Sequence, residues 1–383
     1  MAITNTLTDL IPTIFAARDT VSRELVGFLN AVQLEATAER LAVNQVCRSF
    51  VAPAVTSSAI TRAMQVPDGT GQTITNKTLS ITTEENVNIP WSADQKLSMN
   101  ESGVDRLIQA QFAQAMRTLT NKVELAVAGQ HIYASRAYGD GGTNPFASSL
   151  ADTAQLRKIL SDNGAPLTDL QLVLDTTAGA AYRTLSMLTK VNESGDNTLL
   201  RQGNLGMIHG FNVRESGQVK QLVTSGTGAS ATTNTAGYAI GATTITLASA
   251  GTGAIIAGDV VRFTGHDSQY LVVTGDADVS NGGTIVLAAP GLRVALAASA
   301  IDITVEEAST RNMAFDRNAI GVAIRAPAMG NDAATDSMLV TDTLSGITFD
   351  VRRYAGYGME QFSVGLAWGV TTWKPEHVAL LLG

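Results

Sequence analysis

The sequence predicts an α+β protein organised around one long helix, and three observations carry that reading. Between Ser102 and Ser135, Val104, Ile108, Phe112, Ala115, Leu119, Val123 and Ala126 recur every three or four residues, the spacing of one helical face. Residues 145–221 alternate helical and extended patterns. Residues 222–305 change to short β-prone runs, with twelve glycines and only seven charged residues among 84.

The long helix has no proline, and Ser102 followed by Asp105 resembles a capping box with Asp in place of the usual Glu. About thirty residues make a rod of roughly 45 Å, far beyond the roughly 11-residue average. Such a helix is a spine on which other elements lean. An ordinary long core helix of an enzyme has the same periodicity.

Residues 1–50 read as helical in two pieces, the first broken or started by Pro12. The second carries Val21, Leu25, Phe28, Leu29 and Val32, then Ala36 and Leu41. They form an arm that packs on a neighbour or on its own domain. Residues 51–100 hold turn signals at Pro53, Pro67-Asp68-Gly69 and Gly71. Thr73–Thr83 and Val87–Ile89 are β-prone with few core residues, which predicts an extended hairpin that projects and needs a partner surface. Residues 101–144 hold the spine helix, followed by the glycine-rich link Tyr138–Gly142.

In residues 145–221, Asp152 caps a helix through Leu160 that Gly164 stops, Leu170–Leu174 is a strand, Thr176–Lys190 is helical and Ile208–Glu215 is a strand. Residues 222–305 give strands at Thr243–Leu247, Asp259–Thr264, Tyr270–Thr274, Thr284–Leu287 and Ile301–Val305, a small all-β barrel or sandwich. The helix–strand pattern stops before this unit and resumes after it, so it reads as an insertion. Residues 306–383 return to longer strands at Ala319–Arg325, Ile347–Tyr354 and Phe362–Val370, with Val378–Leu382 closing the chain.

The net charge is −8 and charged residues make up 16% of the 383, against roughly 25% in average soluble chains. A surface so poor in charge suits a protein that packs against copies of itself, and a large single-chain core shows it too. No basic block exists to neutralise a row of phosphates, which argues against sequence-specific nucleic-acid binding. The single cysteine, Cys47, excludes an intramolecular disulfide and cysteine-based metal clusters. It reads as a small buried residue at the end of the helical arm. The first residues lack a signal peptide's basic start and apolar run, and no stretch approaches the ~18 apolar residues of a membrane span.

A search for catalysis finds no GxxxxGK[ST] loop, no HExxH and no GxSxG elbow. His131, His209, His266 and His377 are scattered and read as structural. Asp276, Asp278 and Asn281 lack the rest of a calcium loop and read as turn formers. Gly226, Gly228, Gly251 and Gly253 are turns, and the sequons at Asn76 and Asn192 carry no weight without a secretory signal. The expectation is no enzyme, no cofactor, no metal and no catalytic residue.

Two stretches and the order of the units resemble a known family. LTNKVELAVA at Leu119–Ala128 and AWGVTTWKPE at Ala367–Glu376, with its apolar tail, are similar to the major capsid proteins of tailed double-stranded DNA bacteriophages. Within them the sequence most resembles the coat protein of short-tailed Salmonella-type phages, the branch with an inserted β-barrel. The resemblance implies the Hong Kong 97-type fold: N-terminal arm (1–50), extended loop (51–100), spine helix and peripheral domain (101–144), axial domain (145–221 and 306–383) and inserted barrel (222–305). It also implies pentamers and hexamers that build an icosahedral head around double-stranded DNA. Assembly would start in the host cytoplasm as a procapsid, with a scaffolding protein and a portal. A nanocompartment shell protein and a secreted β-rich adhesin or surface-layer protein are the alternatives.

Overall fold

The computed structural model describes residues 24–41, 44, 46–51, 59, 60, 62, 75–98, 101–190, 198–328, 334–342 and 345–383. The expectations placed on Pro12, Val21, Pro53, Pro67-Asp68-Gly69, Gly71 and the Asn192 sequon lie outside these residues.

The first half of the chain contributes strands β1 (Gln33–Leu41), β2 (Val46–Val51), β3 (Thr75–Ser80) and β4 (Thr83–Ser92), then helices α1 (Ala93–Ser98) and α2 (Glu101–Ala128), and strand β5 (Arg136–Tyr138). Next come α3 (Ala151–Asp162), β6 (Leu170–Leu174), α4 (Thr176–Thr184), α5 (Ser186–Thr189), α6 (Thr198–Gln202), β7 (Met207–Ile208) and β8 (Phe211–Glu215). The insert holds β9 (Ala231–Thr232), β10 (Thr244–Leu247), β11 (Val260–Phe263), β12 (Gln269–Thr274), β13 (Gly283–Leu287) and β14 (Asp302–Val305). The last strands are β15 (Arg311–Asp316), β16 (Ile320–Pro327), β17 (Ala334–Thr341), β18 (Thr348–Gly356), β19 (Met359–Thr372) and β20 (Val378–Leu382).

Two sheets carry most of these strands. A six-stranded sheet runs β1-β16-β19-β18-β17, with β4 added along β19. A twelve-stranded sheet runs β7-β8-β6-β15-β20-β5-β12-β11-β14-β9, with β13 on β12 and β10 on β13.

The arm is where expectation and structure part first. Residues 33–41 and 46–51 are strands, so the second helix expected in the arm does not form, and Cys47 sits within β2 rather than at a helix end. Phe28, Leu29 and Val32 are buried together, but through a single turn in which the N–H groups of Ala31 and Val32 donate to Phe28 O at 2.8 and 3.0 Å. That turn reproduces helical spacing over one repeat only. The run QLEATAERL is rich in helix formers, and parallel pairing of Gln33–Leu41 along Gly321–Pro327 overrides that propensity.

The extended hairpin is also redrawn. β2 and β3 pair antiparallel from Val46↔Ser80 to Val51↔Thr75, a two-stranded ribbon outside both sheets. β4, expected in the projecting loop, pairs with β19 from Thr83↔Trp368 to Ser92↔Met359. Leu79, Ile81, Ile89 and Trp91 are buried, so the end of the ribbon and all of β4 belong to the body.

The spine helix forms as expected over Glu101–Ala128 and tightens into a 3-10 turn at Gly129–Tyr133. It already includes Glu101, so Ser102 lies inside it rather than at its cap. Ala115, Leu119 and Val123 face the core with Ile89, Trp91, Val322, Val364 and Trp368. Val127 takes the inward place that the pattern gave to Ala126, which is only partly buried.

On the large sheet, α3 and α4 cover β6, β8, β15 and β20 with a second core that includes Leu156, Leu160, Leu172, Tyr182, Phe211 and Leu381. Asp152 does not cap α3; its Oδ2 accepts from Phe146 N–H at 2.7 Å. Gly164 ends that segment at φ +75°, a conformation that costs glycine little. The helix expected over Thr176–Lys190 is broken at Leu185, whose ψ of 119° is extended. Ile208–Glu215 is two strands with a turn at His209 and Gly210.

All five strands expected in the insert form within a residue of their expected limits. Ile245, Val261, Phe263, Tyr270, Val272 and Ile285 give it a core of its own. Its sheet is nonetheless continuous with the body, because β12 pairs with β5 through Gln269↔Ala137 and Tyr270↔Arg136. Val260, Leu271 and Ala288 belong to the main core.

Residues 306–383 divide between the two sheets. β15 and β20 lie beside β6 and β5 in the large sheet, whereas β16 to β19 build the sheet under the spine helix. β15 and β17 were not anticipated. β15 is buried at all six positions and so shows no alternation. Among its polar residues, Asn312 accepts from Asp175 N–H at 2.7 Å and donates to Leu381 O at 3.4 Å.

Candidate assembly surfaces

The histidines do not converge. His131 is buried at the end of the spine helix with Nδ1 3.0 Å from Ala128 O, and burial lowers its pKa to about 4. His209 Nδ1 lies 2.7 Å from the Thr153 hydroxyl. His266 follows β11 in a turn, its N–H donating to Phe263 O at 3.0 Å. His377 lies in the 3-10 turn before β20. Among the described residues, no three His, Cys, Asp or Glu side chains form a group that could hold a metal ion. The Asp276–Asn281 segment is a turn tied by backbone hydrogen bonds to Gly253 and Ile255. Asp276 Oδ1 accepts from Asp278 N–H, and Asp278 in turn accepts from Ser280 N–H and Asn281 Nδ2 at 3.1 and 2.7 Å. The glycine turns pack on each other: Ala229 and Thr252 exchange backbone hydrogen bonds, and Gly228 N–H donates to Ala254 O at 2.8 Å. No helix among the described residues is long and apolar enough to cross a membrane.

Two concavities lie on the two faces of the sheet that packs on the spine helix. An apolar groove of about 480 Å³ runs between α2 and the β17–β19 side of the sheet. Phe112 and Met116 form one wall, and Met338, Val340, Val351 and Phe362 form the other. Phe112 and Phe362 meet edge to face, with centroids 5.4 Å apart at 77°. Asp336 and Arg353 stand at the rim. On the other face of β18 and β19, Glu84, Glu85, Asp350, Arg352 and Tyr354 line a polar cleft of about 530 Å³. Asp350 and Arg352 are bonded to each other at 2.7 Å there.

Apolar side chains also stand out at the end of this sheet. Tyr357 at the β18–β19 turn is fully exposed, with Leu97 and Met359 exposed nearby. The N–H of Ala93 donates to Gly358 O at 3.0 Å, which ties α1 to that turn. Met338 and Leu339 are exposed on β17, the outermost strand of its sheet. Scattered apolar exposure is ordinary, but an apolar groove next to an edge strand is the kind of surface that a partner covers. The ribbon of β2 and β3 adds a second such element, since two strands alone are marginal in water.

On another face of the spine helix, the first described residues are clamped to it. Arg117 Nε donates to Glu24 Oε2 at 2.7 Å, a second Arg117 nitrogen donates to Oε1, and Asn121 Nδ2 donates to Oε2 at 2.7 Å. The Arg117 guanidinium holds the Glu24 carboxyl down at about 2. Sequence reasoning did not single out these residues. Polar positions on a helix normally read as a solvated face.

No family model matches the sequence, and no curated protein matches it. Solved structures do match in fold. The asymmetric unit of the bacteriophage PhiM1 mature capsid aligns with 100% of this chain and 92% of its own, at TM-score 0.51 and 11% identity. The capsid structure of Cyanophage P-SCSP1u covers 99% and 92% at TM-score 0.49 and 11% identity. A Mycobacterium phage Che8 structure covers 99% and 96% at TM-score 0.48 and 11% identity. At such identity the likeness to the PhiM1 capsid chain is one of fold. The alignment spans the whole chain.

Proposed function

We propose that the chain is a structural subunit of a phage head, a major capsid protein without catalytic activity that assembles through pentamers and hexamers into an icosahedral shell. The observation that carries the reading is the fold likeness over the full chain to the PhiM1 capsid structure. The surfaces support it from the physical side: a two-stranded ribbon outside both sheets, an apolar groove beside an edge strand, and a chain with 16% charged residues all make sense when covered by neighbours.

In this reading the fold is of the Hong Kong 97 type. Residues 1–50 form the N-terminal arm and 51–100 the extended loop, with its ribbon starting already at Val46. Residues 101–144 form the spine and peripheral domain, 145–221 and 306–383 the axial domain, and 222–305 the insert of the short-tailed Salmonella phage branch. Strands β16 to β19 lie within 306–383 but build the sheet under the spine helix, so in this reading they move to the peripheral domain and the axial domain keeps β15 and β20 of that range. The shell encloses double-stranded DNA by containment rather than by sequence recognition, consistent with the net charge of −8. Assembly takes place in the host cytoplasm on a scaffolding protein and a portal, and the finished protein resides in the virion.

Sedimentation and negative-stain microscopy of the purified chain, with and without a scaffolding protein, test this reading. Closed particles, or their pentamer and hexamer units, are expected. A chain that stays monomeric under both conditions refutes it.

A further inference from the structure

Glu124 lies on the spine helix, one turn beyond Asn121, and its side chain is 0% exposed. A carboxylate in that position normally costs several kcal/mol unless it is paired or fully hydrogen-bonded. No ion pair involves it among the described residues. Instead it receives four donors. Leu29 N–H donates to Oε1 at 2.7 Å, and Phe28 N–H and Gly27 N–H donate to Oε2 at 3.1 and 3.3 Å. The Ser216 hydroxyl donates to Oε2 at 2.6 Å. Burial raises the carboxyl above the usual carboxylate range, while these donors pull it the other way.

The three N–H groups come from consecutive residues, so the chain at 27–29 wraps the carboxylate as a nest. Space permits this only because residue 27 is glycine; a Cβ there would lie 2.4 Å from Glu215 O. Leu25 O accepts from Gly217 N–H at 3.1 Å, and Ser216 Oγ accepts from Gln218 N–H at 3.2 Å. Residues 24–29 therefore form a strap held between the spine helix and the loop after β8. Arg117, Asn121 and Glu124 are spaced i, i+4, i+7, so a single face of the helix grips the strap.

We propose that Glu124 is a positioning residue for assembly: it fastens the strap to the spine helix and so fixes the point at which the arm joins the subunit. The fastening is a property of the folded chain alone. Its consequence for particle form rests on the shell reading above.

Hydrogen exchange on the isolated subunit tests the fastening. Glu124→Gln keeps the size of the side chain but sets an amide N–H₂ against a ring of donors. The amides of residues 27–29 are expected to exchange at least about tenfold faster, with β16 and β20 protected as before. Glu85→Gln is the control, since Glu85 makes only an exposed pair with Lys122 of the same helix. Ser216→Ala removes one donor of the four and should loosen the strap less; it also serves if Glu124→Gln fails to fold. Unchanged exchange at 27–29, or equal acceleration throughout both sheets, overturns the latch. Particle morphology tests the consequence. Glu124→Gln is expected to give irregular or open shells where the unmodified chain gives closed ones. Normal shells from a variant with a loosened strap overturn the positioning role. An unmodified chain that forms no particles refutes the shell reading, and the exchange data still decide the latch.

Discussion

Leu119→Ala, compared with Gln114→Ala, tests whether the spine helix holds the subunit together. Leu119 is 0% exposed and lies in the main core, against the six-stranded sheet. Truncation removes three buried carbons, at ~0.8 kcal/mol each a transfer loss of roughly 2.4 kcal/mol. The space left behind adds a cavity term, because strands on one side and the helix backbone on the other limit collapse. Together these put the loss at about 3–5 kcal/mol. A subunit stable by only ~5–15 kcal/mol would lose a large share of that margin.

Gln114 sits five residues earlier on an exposed face, where its Oε1 accepts from Arg117 at 3.1 Å. An exposed hydrogen bond of this kind contributes little, and Ala is at least as good a helix former, so Gln114→Ala should stay within about 0.5 kcal/mol. Both substitutions fall on one helix, so propensity does not separate them. Urea midpoints of the two isolated subunits are the measurement. Equal, small shifts would mean that the α2 stripe carries no core, and the account of the fold given above would fail.

Three further outcomes are expected. Lowering the pH should destabilise the subunit through His131. A buried imidazole held at about 4 against an ordinary 6.5 stabilises fully above pH 6.5 and loses that contribution as pH falls towards 4, by about 3 kcal/mol in all. Urea midpoints at pH 7 and 4.5 should therefore diverge more in the unmodified chain than in His131→Leu; an equal drop in both refutes the assignment. Replacing residues 52–74 by a short Gly–Ser turn should leave a folded monomer, since β2, β3 and buried Leu79 are kept, yet impair assembly in sedimentation; an unfolded monomer refutes it. The fragment 222–305 should give a dispersed amide spectrum, because Ile245, Phe263, Tyr270 and Ile285 pack among themselves; a random-coil spectrum refutes its independence.

The sequence made legible whatever repeats with a fixed period and lies against a single core. The stripe from Ile108 to Val123 announced the spine helix, and β-branched runs between glycines announced the strands of the insert except the two-residue β9. Elements whose character comes from distant partners were not legible. β1 carries a helix-forming composition and becomes a strand only because β16, almost 300 positions later, offers an edge. β15 is covered on both faces and so lacks alternation. The ribbon's limits depend on which of its residues meet the sheet, and local sequence does not mark Leu79 and Ile81 as core. The candidate surfaces were harder still. Phe112 was read as a core position, and the structure places it both against the core and in the wall of an open groove.

Glu124 shows why the charge pattern of a helix is an unsafe guide to its faces. On the sequence, Arg117, Asn121, Lys122 and Glu124 are all polar positions off the apolar stripe of the helix. In the fold only Lys122 of these is on an exposed face, paired with Glu85. The others divide between a half-buried clamp on Glu24 and a fully buried nest for the strap. The helix thus presents three surfaces: an apolar one to the sheet through Leu119 and Val123, a polar one to the strap, and the open groove at Phe112 and Met116. The first two are satisfied within one chain, with buried side chains and hydrogen-bonded donors. The third is apolar and open, next to the outermost strand of its sheet. In the shell proposed above, a subunit arranged in this way would settle its own core and the root of its arm before meeting a neighbour, and would leave apolar surface for it on the helix that organises the rest.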